Sequence, residues 1–202
     1  MIRTLAFAAA VLAVPALGHA AQWEVDPSHS SASFTVKHMM VSNVRGEFGK
    51  IKGSGSWEKP DFSDAKIEVV VDATTIDTRD AKRDAHLKSP DFFDVAKFPA
   101  LTFKSKRVEK SKTAGHLNIV GDLTMHGITK EVTFDVTGPS PETKSPWGTT
   151  AVGAEARAKI NRTDFGLKWN KALEAGGVLV ADEVNIEISL ELNKKPPLKA
   201  EK

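Results

Sequence analysis

Cysteine is absent from all 202 residues of the chain. Its absence excludes disulfide bonds, and it also excludes the lipidated cysteine by which an exported lipoprotein is anchored. A fold without disulfides depends on its apolar core and backbone pairing alone, and it is indifferent to redox state. This composition fits a bacterial periplasm better than a disulfide-rich extracellular scaffold.

An excess of one charge sign is also lacking, since the formal net charge is only +2. A near-neutral surface of mixed charges argues against nucleic acid as a partner. Five of the six histidines follow residue 20, and none is at zinc-like spacing from a second histidine or a cysteine. No strained nucleophile turn is present either. We therefore expect no metal site and no catalytic residues.

Long apolar runs are confined to the N-terminus. Residues 1–20 contain one cation, Arg3, then an apolar run from Leu5 to Leu17 and small residues before Ala20. This order predicts a secretory signal peptide, cleaved after Ala20 or after Ala21. A membrane anchor is the alternative, but the run contains Pro15 and is shorter than the roughly 20 residues that a span needs.

Most of the remaining chain alternates apolar and polar residues with the period of two that is typical of β-strands. A glycine-rich ribbon, Val44–Trp57, supplies the flexibility that a strand needs at a barrel corner. The alternating rows are Ala32–Met40, Ile67–Val71, Leu101–Ser105, Leu117–Met125, Val132–Val136, Ala154–Ile160 and Val184–Leu192. Together these segments predict about eight strands, and their short connections predict antiparallel neighbours.

We therefore predict an all-β fold, an eight-stranded antiparallel barrel over residues 21–192 with a short helical insert. Closure removes the exposed sheet edges, and a barrel of this size either fills with side chains or holds one small ligand. The small inward residues Gly121 and Ala154–Ala158 favour a cavity. The charged tail 193–202 contains two prolines and is predicted to be disordered.

The segment Asp77–Pro99 is the one long interruption of the strand pattern. We predict a helix over Arg79–Lys88, with Thr78 or Asp77 as its cap and an Asp84–Lys88 pair on its surface. Four phenylalanines follow: Phe92, Phe93, Phe98 and Phe103. These rings either plug one end of the barrel as core or line the mouth of a cavity as a lid.

Two polar residues have both a structural and a functional interpretation. His38 lies on the apolar face of the first predicted strand, where it is either a buried histidine with a backbone partner or a contact for a ligand head group. Arg162 either pairs with Asp164 or binds an anion.

Five segments together resemble the YceI-like family of periplasmic lipid- and polyisoprenoid-binding proteins. They occur in the family order and cover nearly the whole chain after residue 22. They are WEVDPSHSSASFTVKH at Trp23–His38, VRGEF at Val44–Phe48, RDAHLKSPDFFDVAKFPALTF at Arg83–Phe103, GDLTMHGITKEVTF at Gly121–Phe134 and RTDFGLKWN at Arg162–Asn170.

The resemblance implies a lipocalin-like barrel whose apolar tunnel holds a polyisoprenoid, an isoprenoid quinone or a fatty-acid derivative, with no other cofactor. From the rows and the resemblance together, the expected ligand contacts are Phe34, Val36, His38, Ile67, Val69, Phe92, Phe93, Phe98, Phe103, Leu117, Ile119, Ala156 and Phe165. A periplasmic location, transient membrane contact and a homodimer are further expectations. The alternatives are a chaperone-like interaction module and a lipid-modifying enzyme.

Overall fold

A computed structural model describes residues 20–174 and 176–196 of the chain. The predicted signal peptide, apart from Ala20, and residues 197–202 of the predicted tail lie outside the described residues. Within them, no helix is both long enough and apolar enough to cross a membrane.

The described chain consists mainly of strands, with one α-helix. The strands are β1 (Ala21–Val25), β2 (Ser31–His38), β3 (Ser42–Phe48), β4 (Ile51–Trp57), β5 (Lys66–Asp72), β6 (Ile76–Asp77), β7 (Ala100–Lys110), β8 (His116–Met125), β9 (Ile128–Thr137), β10 (Thr143–Lys144), β11 (Thr150–Asn161) and β12 (Val180–Lys194). The helix is α1 (Ala81–Lys88), and two 3₁₀ turns occupy Ala73–Thr75 and Arg162–Phe165.

Eight of these strands form one closed antiparallel circuit. Its order is β1, β4, β5, β7, β8, β9, β11 and β12, and β12 pairs again with β1. The predicted eight-stranded antiparallel barrel is therefore confirmed. Each of the eight strands pairs with a neighbouring strand on both of its edges, so the circuit has no open edge.

One end of the barrel is built differently from the other. The long strand β12 pairs with β1 through residues 192–194 and with β2 through residues 180–189, both on the same edge. From β2 the sheet continues to β3 and then to the short β6. Among the described strands, β6 has no pairing with β7, and the segment that contains α1 joins them.

Several strand boundaries differ from the sequence prediction. The glycine-rich ribbon is two strands, β3 and β4, and the first predicted row ends at His38 because Met39 and Met40 form a tight turn with positive φ angles of 51° and 60°. The short strands β1, β6 and β10 were not predicted. Strand β12 extends through Asn193 and Lys194, which the prediction assigned to the disordered tail, because Glu24 and Trp23 pair with them.

The helix also starts later than predicted. Asp80, and not Thr78 or Asp77, is the N-cap, because its side chain accepts hydrogen bonds from the amides of Lys82 and Arg83. The predicted Asp84–Lys88 pair is wrong, since Asp84 accepts hydrogen bonds from Thr78, at 2.9 Å from its amide and 2.5 Å from its hydroxyl.

Two apolar clusters lie in the interior. The cluster at the insert end includes Ile76, Phe92, Phe134 and Phe165, and the cluster at the opposite end is centred on Trp23. The Trp23 side chain is almost wholly buried and stacks on Trp57 with ring centroids 5.0 Å apart. Strand β1 therefore supplies the largest anchor of the second cluster.

Gly121 does not leave the open interior space that we predicted from its small size. The Phe103 ring packs over it and meets Phe134 edge to face, with ring centroids 5.0 Å apart. A Cβ on Gly121 would lie 2.6 Å from the Phe103 ring and closer still to the Lys104 carbonyl oxygen. The glycine thus allows an aromatic side chain to cross the strand.

We expect Gly121→Ala to lower the free energy of unfolding by about 1–3 kcal/mol, because the added methyl group overpacks the contact with Phe103. Gly49→Ala is the matched control, since a Cβ there would meet only Thr75 at 3.8 Å. Urea unfolding of both variants measures the difference. Equal effects of the two substitutions would contradict the close packing at Gly121.

Candidate functional site

A narrow apolar cavity lies inside the barrel between the two clusters and the insert. Its volume is about 140 Å³. Its lining along β12 runs from Val180 to Ile188, which is roughly 25 Å of strand. The space is therefore long in relation to its cross-section, a shape that suits a chain better than a compact molecule.

Among the described residues, three polar side chains line this cavity: Ser33, Thr102 and Arg162. Within the described part of the chain, the lining contains no histidine, lysine or carboxylate. A site of this kind offers dispersion contacts and the exclusion of water, with few directional groups to select a ligand.

The structure brings six of the thirteen expected ligand contacts to the cavity wall: Phe34, Val36, Val69, Phe92, Phe93 and Phe103. The other seven do not line it. Ile119, Ala156 and Phe165 pack in the cluster at the insert end, and Ile67 packs in the opposite cluster. Leu117 lies on β8 opposite Val136, while His38 and Phe98 are described below.

Further wall residues were not selected from the sequence: Ala32, Ser33, Phe48, Val71, Leu87, Leu101, Thr102, Leu123, Met125, Phe134, Ile160, Arg162, Leu167, Val180, Val184, Ile186 and Ile188. Most of them lie on inward strand faces that the period-two pattern identifies. That pattern gives the face of a residue but not its height along the barrel, so it cannot separate cavity wall from solid core.

The insert contributes the wall at one end of the cavity through Leu87, Phe92 and Phe93. No residue of α1 itself is buried, whereas Phe92 and Phe93 are 6% and 8% exposed. The Phe93 ring meets Phe48 of β3 edge to face, at 5.9 Å between centroids. The insert thus packs on the barrel through two buried rings that are also cavity wall, with Leu87 and Val95 beside them.

A polar network fixes the start of the insert. The Arg83 side chain donates to the Thr78 hydroxyl at 2.8 Å and to the Thr78 carbonyl at 2.7 Å, and Asp84 accepts from the same hydroxyl. Thr78 is buried, so these bonds satisfy groups that water cannot reach. The bonds to Thr78 therefore fix the N-terminal end of the insert, while Phe92 and Phe93 pack its C-terminal part against the barrel.

Phe98 and His38 were expected to contact the ligand, but both lie away from the cavity. The Phe98 ring packs against His126 at 5.0 Å and covers the β8–β9 turn at Gly127, outside the cavity wall. His38 is half-buried at the end of β2, opposite Val180 of β12 and Ser42 of β3. Neither residue lies on the cavity surface.

Arg162 is the one charged residue that residues 20–174 and 176–196 contribute to the wall, and it is only 4% exposed. Its guanidinium donates to the carbonyls of Leu167, Trp169 at 3.0 Å and Ala181 at 3.0 Å. It also donates to the carbonyl of Val180 at 3.3 Å and to the carboxylate of Asp182 at 2.9 Å. These bonds tie the turn after β11 to the start of β12.

The predicted pairing of Arg162 with Asp164 is therefore wrong, because the acidic partner is Asp182. Burial lowers the pKa of Arg162, and the Asp182 carboxylate opposes that shift. The N–H groups of the Arg162 guanidinium already donate to four backbone carbonyls and to Asp182. This arrangement favours a structural role for Arg162 over the alternative of anion binding.

Asp26, His29 and Glu191 bring their ligand-type atoms within 4.8 Å of one another near the opposite end of the barrel. Asp26 accepts hydrogen bonds from the Ser28 amide at 2.8 Å and from Asn193 at 3.2 Å, and it lies 3.1 Å from His29 Nδ1. The bond from the Ser28 amide, followed by that to His29, holds the pKa of Asp26 below its ordinary value. The cluster thus fastens the β1–β2 turn to the end of β12.

We expect Arg162→Met to lower the free energy of unfolding by about 3 kcal/mol or more, because four carbonyls and Asp182 lose their buried donor. Arg157→Met is the control, since the Arg157 ion pairs with Glu155 and Glu187 are exposed and contribute about 1 kcal/mol or less. Urea unfolding compares them. A loss at Arg162 no larger than that at Arg157 would contradict the structural role.

Comparison with known sequences agrees with the family resemblance of the five sequence segments, and it covers almost the whole described chain. The YceI-like domain matches residues 23–192. The UPF0312 protein SAS2572 of Staphylococcus aureus strain MSSA476 is 39% identical over 168 residues, which are 83% of this chain and 95% of that protein. The UPF0312 protein SA2479 of strain N315 is 38% identical over the same shares of the two chains.

Solved structures share the fold. Burkholderia cenocepacia BcnA superimposes with a TM-score of 0.69 at 23% identity, over 83% of this chain and 98% of that one. The Campylobacter jejuni YCEI protein gives 0.62 at 27% identity, over 79% and 90%. A polyisoprenoid binding domain from Saccharophagus degradans gives 0.61 at 14% identity, over 88% and 100%. The extent of the domain match and the identity to its relatives show that the chain belongs to the YceI-like family.

Proposed function

We propose that this protein binds and carries a long-chain amphiphile, such as a polyisoprenoid, an isoprenoid quinone or a fatty-acid derivative. The observation that carries the proposal is the long, narrow cavity, whose wall is apolar except for Ser33, Thr102 and Arg162. The related fold of the Saccharophagus degradans domain, which is described as polyisoprenoid binding, supports the same ligand class.

The energetics of such a cavity suit a hydrocarbon chain. Each buried CH₂ group contributes about 0.8 kcal/mol, so about ten buried carbons contribute on the order of 8 kcal/mol before ordering costs. This gross free energy corresponds to a Kd near the micromolar range. No directional polar contact is required for binding of this strength.

A long chain needs more room than the cavity offers in the described conformation. Its volume of about 140 Å³ is close to that of an engineered cavity of about 150 Å³ that binds benzene. The strands around it are fixed by their ladders, whereas Phe92 and Phe93 belong to the insert and have no strand pairing. We therefore propose that the insert is a lid whose two rings move when the chain enters.

The two alternative functions have less support. An enzyme needs a positioned acid, base or nucleophile at the reacting atom. The one ionisable side chain of the described cavity wall is Arg162, whose donors are bonded to backbone carbonyls and to Asp182. A chaperone-like module would use the outer surface and would leave the apolar cavity without a role. We further propose that the N-terminal segment directs the protein to the periplasm, where a carrier could move a lipid through water.

We expect Val184→Phe to reduce uptake of a fluorescent polyisoprenoid probe by about tenfold or more, because the ring occupies part of the cavity. Val70→Phe is the matched control, since Val70 is 45% exposed on the outer face of β5. Fluorescence titration of both folded variants measures uptake. Equal binding by the two variants would contradict ligand binding in the barrel.

We expect hydrogen exchange to separate the lid from the barrel. In the free protein, the amides of residues 79–98 should exchange faster than those of residues 184–192, which lie within the β12 ladders. Addition of the polyisoprenoid probe should slow exchange in the insert and leave β12 unchanged. Equal protection of both segments, with no response to the probe, would mean that the insert is a rigid plug.

A further inference from the structure

An exposed apolar surface lies where β2 ends and β12 begins. Its members are Met39, Met40, Val41 and Val178, which are 43%, 62%, 82% and 37% exposed. We call these four residues the rim patch. The Met39 amide donates to the Leu179 carbonyl at 2.8 Å, so the turn that carries Met39–Val41 is fastened to the segment that carries Val178.

The turn holds its two methionines in a costly conformation. The Val41 amide donates to the His38 carbonyl at 3.0 Å, and Met39 and Met40 both have positive φ angles, of 51° and 60°. The β-turn that this bond closes has positive φ at both of its central residues, a conformation that Asn-Gly favours and that side chains such as methionine strain. The protein therefore accepts backbone strain at a place where both methionine side chains lie in solvent.

The rim patch is continuous with the cavity along two strands. Val36, two residues before His38, lines the cavity wall, and so does Val180, which pairs with His38. Leu167, in the segment that leads to Val178, lines it as well. Apolar side chains of the cavity wall and of the rim patch are therefore close neighbours along β2 and at the start of β12, with His38 between them.

Lysines outnumber carboxylates in the segments that carry the rim patch. Lys37, Lys168 and Lys171 are exposed, and within the described chain none of them lies in an ion pair. The Lys171 carbonyl accepts from the Leu179 amide at 2.9 Å, which places Lys171 beside Val178. Residues 37–41 and 168–182 contain two acidic residues, Glu174 and Asp182, and the Asp182 carboxylate is paired with Arg162 at 2.9 Å.

We propose that the rim patch docks this end of the barrel on the surface of a bilayer that contains anionic phospholipid. Flexible methionine side chains partition into the boundary between head groups and acyl chains, and the three lysines attract the anionic head groups. The docking role rests on the proposed carrier function, because it gives a lipid a dry route between bilayer and cavity. An exposed patch of this kind is typical of interaction sites.

The double variant Met39→Asn with Met40→Gly tests the proposal without weakening the turn, because Asn-Gly is the preferred pair in this geometry. The probes are vesicles of phosphatidylcholine with and without phosphatidylglycerol, and the readout is co-sedimentation of the full protein. We expect the wild type to bind the vesicles with phosphatidylglycerol more strongly, and the double variant to bind them about tenfold more weakly or not at all.

Trp147→Ser is the matched control. Trp147 is 89% exposed in the β10–β11 turn, at the end of the barrel where Ala151 pairs with Asn193, far along β12 from Val180. We expect this variant to bind vesicles like the wild type. Loss of vesicle binding in Trp147→Ser, or full vesicle binding by the double variant, would overturn the proposal.

Two further results distinguish this proposal from the carrier function. If the wild type takes up no polyisoprenoid probe but still binds vesicles through Met39 and Met40, the carrier function fails and the docking surface stands. If the protein takes up detergent-dispersed probe but does not bind vesicles, the docking proposal alone is overturned. The proposal is also overturned if, without vesicle binding, the wild type self-associates on size-exclusion chromatography and the double variant does not, because the occupant is then a second copy.

Discussion

The double pairing of β12 is the constraint on which the rest of the structure depends. On one edge it pairs with β11 over Ala151–Asn161, and on the other it pairs first with β2 and then with β1. The pairings of β12 with β11 and with β1 close the barrel. Its pairing with β2 attaches the extension that continues through β3 to β6. Without β12 the sheet would have two open edges and no enclosed interior.

The interior of the closed barrel is only partly filled. The inward residues Val184, Ile186 and Ile188 face the barrel axis but are only half-buried, because they border the cavity. Trp23 and its neighbours pack one end solidly, whereas the other end is covered by Phe92 and Phe93 of the insert. Strands held in ladders thus enclose a space that is covered at one end by a segment without strand pairing, which is the segment that we propose as the lid.

The sequence predicted the barrel because period-two alternation is unbroken over Leu117–Met125, Val132–Val136 and Val184–Leu192, where every inward residue is apolar or small. It did not predict β1, since a strand of five residues is too short to establish a period. The Asp182 partner of Arg162 lies 20 residues away and depends on the packing of β12 against the turn after β11. The space at Gly121 was misjudged because residue size does not reveal that the Phe103 ring fills it.

The most direct test of the account is native mass spectrometry of the protein purified from its own host without added lipid. We predict a second species, heavier than the protein by the mass of one long-chain amphiphile, which dissociates on collisional activation and is depleted in Val184→Phe. A single species with the mass of the protein alone, from gently handled and correctly folded material, would contradict the claim that the barrel encloses a lipid chain.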